Sequence, residues 1–348
     1  MKKPITTMFI CICLCIMNLQ LTGCSGHTEE EITEVVVSGE TTTVPKIGLL
    51  LDSLVIERWE RDRDIFISSA TELGAQVEVQ NANSDVDKQK ELFRRMIEEN
   101  LDCIVVVPVD SGSLQEEVKL AHEKNIPVIA YDRIIQNAGV DLYISFDNEK
   151  VGQYMAECLN DAFPSGANYL KVNGPVEDNN VSLVNKGFDE TIHSNFTKID
   201  ETNCPGWADD KAFEYMNMHP EYMNQVNCIM CGNDSLASQV IRALSERRKA
   251  GQILVTGQDA DLTACQRIID HTQLMTVYKP IDKLASLAAH SAYLLATDSQ
   301  IEEAALFYDG RTQVKYQMVD PIKVTESNLQ SVIIDSGFHT KDDIYRTY

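Results

Sequence analysis

The sequence predicts an α/β fold with two domains, each built on a doubly wound parallel sheet. Short apolar runs alternate with amphipathic helical patterns over residues 47–278, which is typical of βαβ units. Several of these runs, such as residues 103–108, are apolar on both faces, as strands buried between two helical layers must be. The length of 348 residues favours two domains, since a domain usually has about 100–200 residues.

Residues 1–24 have the three parts of a bacterial lipoprotein signal. Two lysines precede an apolar stretch over 8–17, and the segment ends in Leu-Thr-Gly-Cys at 21–24. A membrane-spanning anchor is the alternative interpretation, but a span needs about 20 apolar residues and polar residues interrupt this run. We expect residues 1–23 to be removed as a signal peptide and Cys24 to carry the lipid.

Residues 24–45 are predicted to be the lipid anchor and a solvated tether. This stretch is rich in Glu, Thr, Ser and Gly, a composition typical of linkers, and we exclude it from the fold. The folded body is therefore expected to begin at Lys46 and to face the outside of the cell.

The predicted strands follow one another along the whole body. They cover residues 47–51, 77–79, 103–108, 127–131, 142–146, 169–172, 228–231, 253–256 and 274–278. Clear amphipathic helices lie between them, most of them opened by an Asp, Asn or Ser that can cap a helix. These helices cover residues 87–99, 114–124, 150–162, 235–248 and 281–296.

Charge and motifs exclude several classes of function. With 53 acidic and 30 basic residues the formal charge is -23, which argues against nucleic acid as a partner because such partners bind Lys and Arg patches. The chain has neither of the glycine-rich phosphate motifs GxxxxGK[ST] and GxGxxG. It also lacks GxSxG and HExxH, so we expect no enzyme and no cofactor.

Cys228 and Cys231 have the spacing of metal ligands. They lie, however, in an apolar run that predicts a buried strand, and no second cysteine pair follows. We therefore expect core thiols and no metal site.

Polar side chains follow the predicted strands at the points where ligands bind in doubly wound sheets. Asp132 and Arg133 end one strand, and Asn233, Asp259 and Lys279 follow three later strands. This mixture of donors and acceptors suits a neutral ligand with many hydroxyl groups, such as a carbohydrate. Alternatives stay open, since Asn233 is also a candidate helix cap, Lys279 a candidate solvated lysine and Asp132–Arg133 a candidate surface ion pair.

The chain has two tryptophans, Trp59 and Trp207, and both lie in polar stretches rather than in predicted core strands. An aromatic ring packs well against the C–H face of a sugar. We predict that one tryptophan from each half of the chain encloses the ligand, the alternative being partly exposed aromatic packing.

Several sequence blocks match one family of sugar-binding proteins. They are Lys46-Ile-Gly, Glu57-Arg-Trp, Ala130-Tyr-Asp-Arg, Tyr143-Ile-Ser-Phe-Asp-Asn-Glu-Lys-Val-Gly, Gly257-Gln-Asp-Ala-Asp and Met275-Thr-Val-Tyr-Lys-Pro. On these blocks the chain resembles the D-xylose-binding proteins of ABC importers, which belong to the type I periplasmic sugar-binding proteins. The likeness covers nearly the whole body and is loosest around Trp207 and after residue 304.

The resemblance implies two α/β lobes joined by a hinge of three crossing strands, the type I periplasmic-binding-protein fold. The N-terminal lobe would comprise residues 46–148 plus 281–317, and the C-terminal lobe residues 149–280 plus 318–348. The crossings would fall near 147–150, 279–282 and 317–319. The family's sugar contacts carry over to Arg58, Trp59, Asp132, Arg133, Asn179, Trp207, Asn233, Asp259 and Lys279.

The resemblance also implies a function and partners. We expect a monomeric receptor, lipid-anchored on the outer face of the bacterial cytoplasmic membrane, that binds D-xylose between its lobes and delivers it to an ABC permease. The alternative is a sensing subunit that docks a membrane histidine kinase of a two-component system.

Overall fold

The computed structural model describes residues 44–54, 58–301 and 304–345. The predicted signal peptide, Cys24 and nearly all of the predicted tether lie outside these residues. Within the described part of the chain, no helix combines the length and the apolar character needed to cross a membrane.

The first sheet has seven strands in the order β11-β12-β5-β4-β3-β1-β2. These strands are β1 (Lys46–Leu51), β2 (Gln76–Asn81), β3 (Cys103–Val106), β4 (Val128–Tyr131), β5 (Leu142–Phe146), β11 (Ala305–Tyr308) and β12 (Gln313–Val319). All neighbours are parallel except the hairpin of β11 and β12. Strands β1–β5 match the predicted runs, whereas β11 and β12 were not predicted, because β12 alternates exposed and partly buried residues and has no continuous apolar run.

Helices cover both faces of this sheet. They are α1 (Arg58–Glu72), α2 (Val86–Glu98), α3 (Gln115–Glu123) and α9 (Ile281–Ala296). Ile47 and Leu49 pack in one core with α1 and α9, whereas Leu50 packs in the other core with α2 and α3. This alternation follows from the two-residue period of a strand.

The second sheet has four parallel strands in the order β7-β6-β8-β9. These strands are β6 (Asn168–Asn173), β7 (Thr197–Asn203), β8 (Cys228–Cys231) and β9 (Leu254–Thr256). Its helices are α4 (Asn148–Ala162), α5 (Asn179–Thr191), α6 (Asp210–Met218), α7 (Asp234–Glu246) and α8 (Leu262–Ile269). A parallel bridge between Thr256 and Met275 leads to a two-stranded antiparallel pair, β10 (Thr276–Tyr278) with β13 (Ile322–Val324).

Short elements complete the described fold. They are the 3₁₀ turns Pro205–Trp207 and Pro220–Asn224, the π-helix Gln330–Ile334 and α10 (Lys341–Tyr345). Polar side chains cap four of the described helices: Asp85 caps α2, Asp147 caps α4, Asp178 caps α5 and Asn233 caps α7. Helices α3 and α9 have no side-chain cap bond.

The chain passes between the two sheets three times: from β5 to α4, from β10 to α9 and from β12 to β13. The predicted fold class, two doubly wound lobes joined by three crossings, is confirmed. The predicted lobe limits differ slightly at the third crossing, because β12 continues to Val319 and pairs there with Phe146 of β5. The sequence likeness is loose in that region, and no strong local signal marks the end of β12.

Candidate ligand-binding site

A cavity lies between the two sheets, at the carboxyl ends of their strands, where doubly wound sheets bind ligands. Its lining comes from both lobes. The lining residues are Arg58, Trp59, Asp132, Arg133, Asn173, Asp178, Asn180, Val181, Val184, Asn185, Trp207, Met230, Gly232, Asn233, Gln258, Asp259 and Lys279. Eight of the nine predicted site residues therefore line one cavity.

Arg58 opens helix α1 and is buried at one wall of the cavity. Its guanidinium lies 2.9 Å from Asp132 Oδ2 and 3.1 Å from Asp62 Oδ1. Burial raises the pKa of Asp132, but the charges of Arg58 and Lys279 outweigh burial and hold that pKa below its usual range. Asp132 is therefore a carboxylate at neutral pH and can accept hydrogen bonds from a ligand.

Arg133 is the cation that contacts both lobes. Its Nη1 lies 2.6 Å from Asp52 Oδ2, which follows β1, and its Nε lies 2.8 Å from Asp178 Oδ2, which caps α5. The Arg133 side chain is buried, and burial alone would lower its pKa. The charges of Asp178 and Asp52 dominate and raise the pKa of Arg133 above its ordinary value, so the group is permanently charged.

The two tryptophans lie on opposite lobes, Trp59 on α1 and Trp207 in the turn after β7. Trp207 has a left-handed backbone, φ 59°, and its Nε1 donates to Asp178 Oδ2 at 3.2 Å. A Cβ added at Gly174 would lie 2.4 Å from the Trp207 ring, so the ring packs directly on the glycine backbone. Both rings line the cavity, as the sandwich hypothesis requires.

Asn233, Asp259 and Lys279 form the remaining predicted wall. Lys279 Nζ lies 3.2 Å from Asp259 Oδ1. Asn233 Oδ1 accepts from Leu236 N–H at 2.9 Å, so the residue caps helix α7 and also lines the cavity. Because the oxygen is used by the cap, the Asn233 amide NH₂ is the group left to meet a ligand.

Asn179 is the one predicted site residue that does not line the cavity. Its Oδ1 accepts from Gln136 Nε2 at 3.0 Å, and the next residue, Asn180, lines the cavity instead. Asn180 Nδ2 donates to Asp132 O and Oδ1, both at 3.1 Å. The physical reason is helix phase: the cavity face of α5 is formed by residues 180, 181, 184 and 185, and Asn179 points about 100° away from Asn180, outside that face.

The predicted sugar contacts do not include five polar residues of the lining: Asn173, Asp178, Asn180, Asn185 and Gln258. Asn173 ends β6 and Gln258 lies two residues after β9, so these two follow the strand-end pattern, whereas Asp178 caps α5. Asn185 lies one helical turn beyond Val181 on the cavity face of α5, where an amide interrupts an apolar stripe.

Several buried polar atoms of the lining have no hydrogen-bond partner within the described residues. They are Trp59 Nε1, Asn173 Oδ1, Asn180 Oδ1 and Gln258 Oε1. Buried polar groups normally have partners, so a donor and three acceptors here are suited to a ligand that carries both kinds of group.

The described part of the chain contains no cluster of three or more His, Cys, Asp or Glu side chains that could hold a metal ion. Cys228 and Cys231 are buried in β8. Burial raises the pKa of the Cys228 thiol to about 12, so it is protonated at neutral pH and behaves as a core side chain.

Comparisons with known proteins agree with this geometry. A family model described as a periplasmic binding protein domain matches residues 47–300. A D-xylose-binding periplasmic protein of Haemophilus influenzae is 40% identical over 306 residues, covering 86% of this chain and 92% of that protein. The D-xylose-binding periplasmic protein of Escherichia coli K12 is 36% identical over 335 residues, covering 94% and 99%.

A solved structure supports the fold independently. The ABC transporter solute-binding protein from Clostridium phytofermentans, with bound β-D-glucose, has a TM-score of 0.77 at 24% identity and covers 86% of this chain and 99% of its own. At this identity the likeness establishes the fold alone. The family model and the two relatives lead to one conclusion: the chain belongs to the periplasmic binding protein family.

Proposed function

We propose that this chain binds D-xylose in the cavity between its lobes and delivers it to an ABC importer. The observation that carries the proposal is the charge balance of the lining, which has three cations and three carboxylates. Each cation lies within 3.2 Å of one of these carboxylates, in the pairs Arg58–Asp132, Arg133–Asp178 and Lys279–Asp259. Such a lining favours a neutral ligand, because an anion would meet carboxylates and a cation would meet guanidinium groups.

The lining also suits the two chemical faces of a sugar ring. Trp59 and Trp207 offer aromatic surface for the C–H groups. The paired Asp and Arg side chains offer charged acceptors and donors for the hydroxyl groups, and hydrogen bonds to charged partners are the stronger kind. The two relatives named for D-xylose support this sugar over others.

Binding favours the closed arrangement of the lobes. A ligand shifts a conformational equilibrium only through contacts that differ between the two states. A sugar that contacts Arg58 and Arg133 on one lobe and Asn233 and Asp259 on the other stabilises the closed form, which a membrane permease then recognises.

We infer that the mature protein is held at the outer face of the cytoplasmic membrane by a lipid on Cys24. The motif at 21–24 supports this inference. Fractionation of cells that produce the full chain tests it: the wild type is expected in the membrane fraction and Cys24→Ser outside it. A Cys24→Ser variant that stays with the membrane would contradict the inference.

Uptake of labelled D-xylose by cells lacking this chain separates import from sensing. Loss of uptake at low sugar concentration, restored by the intact gene, supports import. Normal uptake combined with lost xylose-induced transcription supports the alternative, a sensing subunit that docks a histidine kinase.

A further inference from the structure

Asp234 is fully buried and lines no part of the cavity, yet it contacts the loop that presents Asp259. It is the first residue of α7. Its backbone N–H donates to Gln258 O at 2.9 Å, and its Oδ2 accepts from Asp261 N–H at 3.1 Å. Asp234 thus holds the loop directly on both sides of Asp259.

A second path runs through Thr276, at the start of β10. The Thr276 hydroxyl donates to Asp234 Oδ2 at 2.7 Å, and its oxygen accepts from Ala260 N–H at 3.1 Å. Gln273 Nε2 donates to Asp234 Oδ1 at 2.7 Å. One carboxylate therefore joins the segments that follow β8 and β9 to the segment that contains β10.

The loop has a conformation that needs such support. Asp259 and Ala260 have φ angles of 99° and 56°, in the left-handed region that residues with a Cβ seldom adopt. Such conformations persist only where the surroundings hold them. A Cβ added at Gly257 would lie 2.2 Å from Asp234 Oδ1, so the loop backbone also packs against this carboxylate.

We propose that Asp234 is a positioning residue for sugar binding: it fixes Asp259 in the cavity without touching the ligand. Its neighbour Asn233 lines the cavity, whereas the Asp234 carboxylate contacts only groups outside the lining. The inference rests on the proposed function only in that the ligand is a sugar.

The contacts of Asp234 suit an ionised carboxylate. Three donors point at its side chain, from Gln273, Thr276 and Asp261, and an ionised carboxylate only accepts. Burial raises the pKa of Asp234 to about 7, so the ionised form dominates above that pH, where the affinities are compared. Asparagine at this position would turn an NH₂ group toward at least one donor. We expect Asp234→Asn to weaken D-xylose binding about tenfold, measured by calorimetric titration of the intact body.

Two conservative substitutions at Thr276 test the same proposal in case Asp234→Asn does not fold. Thr276→Val keeps the shape of the side chain but removes the hydroxyl bridge to Ala260, whereas Thr276→Ser keeps the hydroxyl. We expect weaker binding for Thr276→Val and wild-type affinity for Thr276→Ser. Equal affinities in these two variants would contradict the proposal that the Thr276 hydroxyl helps to position the loop of Asp259.

A double-mutant cycle distinguishes positioning from a general loss of stability. If Asp234 acts through Asp259, Asp234→Asn adds little to the loss of affinity already caused by Asp259→Asn, and additive losses would overturn the proposal. The control is Asp200→Asn in β7, whose carboxylate accepts from Tyr215 and Tyr222 hydroxyls away from the lining. The control is expected to bind with wild-type affinity.

The wild-type titration separates this proposal from the proposed function. If the wild type binds another monosaccharide instead of D-xylose, the assigned ligand fails while the variant ratios, measured with that sugar, still test Asp234. Wild-type affinity in both Asp234→Asn and Thr276→Val would overturn the positioning role alone.

Discussion

Gln136 Nε2 donates a hydrogen bond to Asn179 Oδ1 at 3.0 Å, and this bond joins the loop after β4 of the first sheet to the start of α5, which follows β6 of the second sheet. Beside it, Asn179 N–H donates to Ser111 Oγ at 3.3 Å, and Ser111 N–H donates to Glu177 O at 3.2 Å. None of these four residues lines the cavity. These three hydrogen bonds, called the rim contacts below, therefore hold the lobes together without using a group that faces the ligand.

Gln136→Ala tests the contribution of these rim contacts to affinity. The change removes one lobe-to-lobe hydrogen bond and lowers the population of the closed form, which lowers apparent affinity. One net hydrogen bond is worth about 0.5–1.5 kcal/mol, so we expect roughly two- to twelvefold weaker sugar binding by calorimetry. The control is Gln239→Ala, which removes a bond to Asp209 within one lobe. Equal affinity in both variants would contradict the role of the rim.

Arg133→Lys tests whether the forked guanidinium is needed. Lysine keeps the charge but cannot meet Asp52 and Asp178 together with the ligand, since it lacks the planar fork. A hydrogen bond to a charged group is worth about 1.5–3 kcal/mol, so we expect roughly ten- to a hundredfold loss of affinity.

The matched control for this substitution is Arg94→Lys, which alters an ion pair with Glu117 outside the cavity lining. The control is expected to keep wild-type affinity. Binding by Arg133→Lys that is as tight as binding by this control would remove Arg133 from the set of sugar contacts.

Gly174→Ala tests the placement of the Trp207 ring. The new methyl group would lie 2.4 Å from the ring, so the indole must move, and we expect affinity to fall about tenfold or more. Fluorescence of Trp207 follows the displacement directly. Trp207→Phe is the comparison variant, because it loses the bond to Asp178 but keeps an aromatic face. An unchanged emission spectrum and affinity in Gly174→Ala would contradict the described packing.

The pair of His122 and Asp141 should make the free energy of unfolding depend on pH. The hydrogen bond between their side chains, 2.9 Å long, raises the pKa of His122 above 6.5. The folded chain then binds the proton more tightly than the unfolded chain, so this stabilisation is present below pH 6.5 and is lost as pH rises through the raised pKa. We expect His122→Gln to remove it.

Urea unfolding at about pH 5.5 and about pH 8.5 measures this effect. The difference in unfolding free energy between the two pH values should shrink by about 0.2–1 kcal/mol in the variant, the range typical of exposed pairs. Asp141→Asn should shrink it as well. The same pH dependence in wild type and both variants would rule out the pair as its source.

Strand ends could be predicted from the sequence because they combine two strong signals. Asp132 and Arg133 follow an apolar run, and doubly wound sheets bind ligands where such runs end. Lys279 follows a predicted strand in the same way. The prediction that Trp59 and Trp207 enclose the ligand needs only the observation that two aromatic residues lie in polar stretches, one in each half of the chain.

Contacts that depend on helix phase and on tertiary packing could not be predicted in this way. Asn179 and Asn180 are identical in type and adjacent, and only the start of α5 after its Asp178 cap decides which one faces the cavity. Asp62 lies in a block that resembles the family, Asp62-Arg-Asp-Ile-Phe, but its burial beside Arg58 could not be predicted from the sequence. Its burial is a consequence of how α1 packs on the first sheet.

The most direct test of the central claim is a calorimetric titration of residues 25–348 with D-xylose, then L-arabinose, D-ribose and D-glucose, with tryptophan fluorescence followed in parallel. We expect one D-xylose to bind per chain with a micromolar or lower dissociation constant. We also expect tryptophan fluorescence to change, because both tryptophans line the cavity. Absence of binding to every one of these sugars would contradict the proposed function and would mean that the family fold is kept without this ligand.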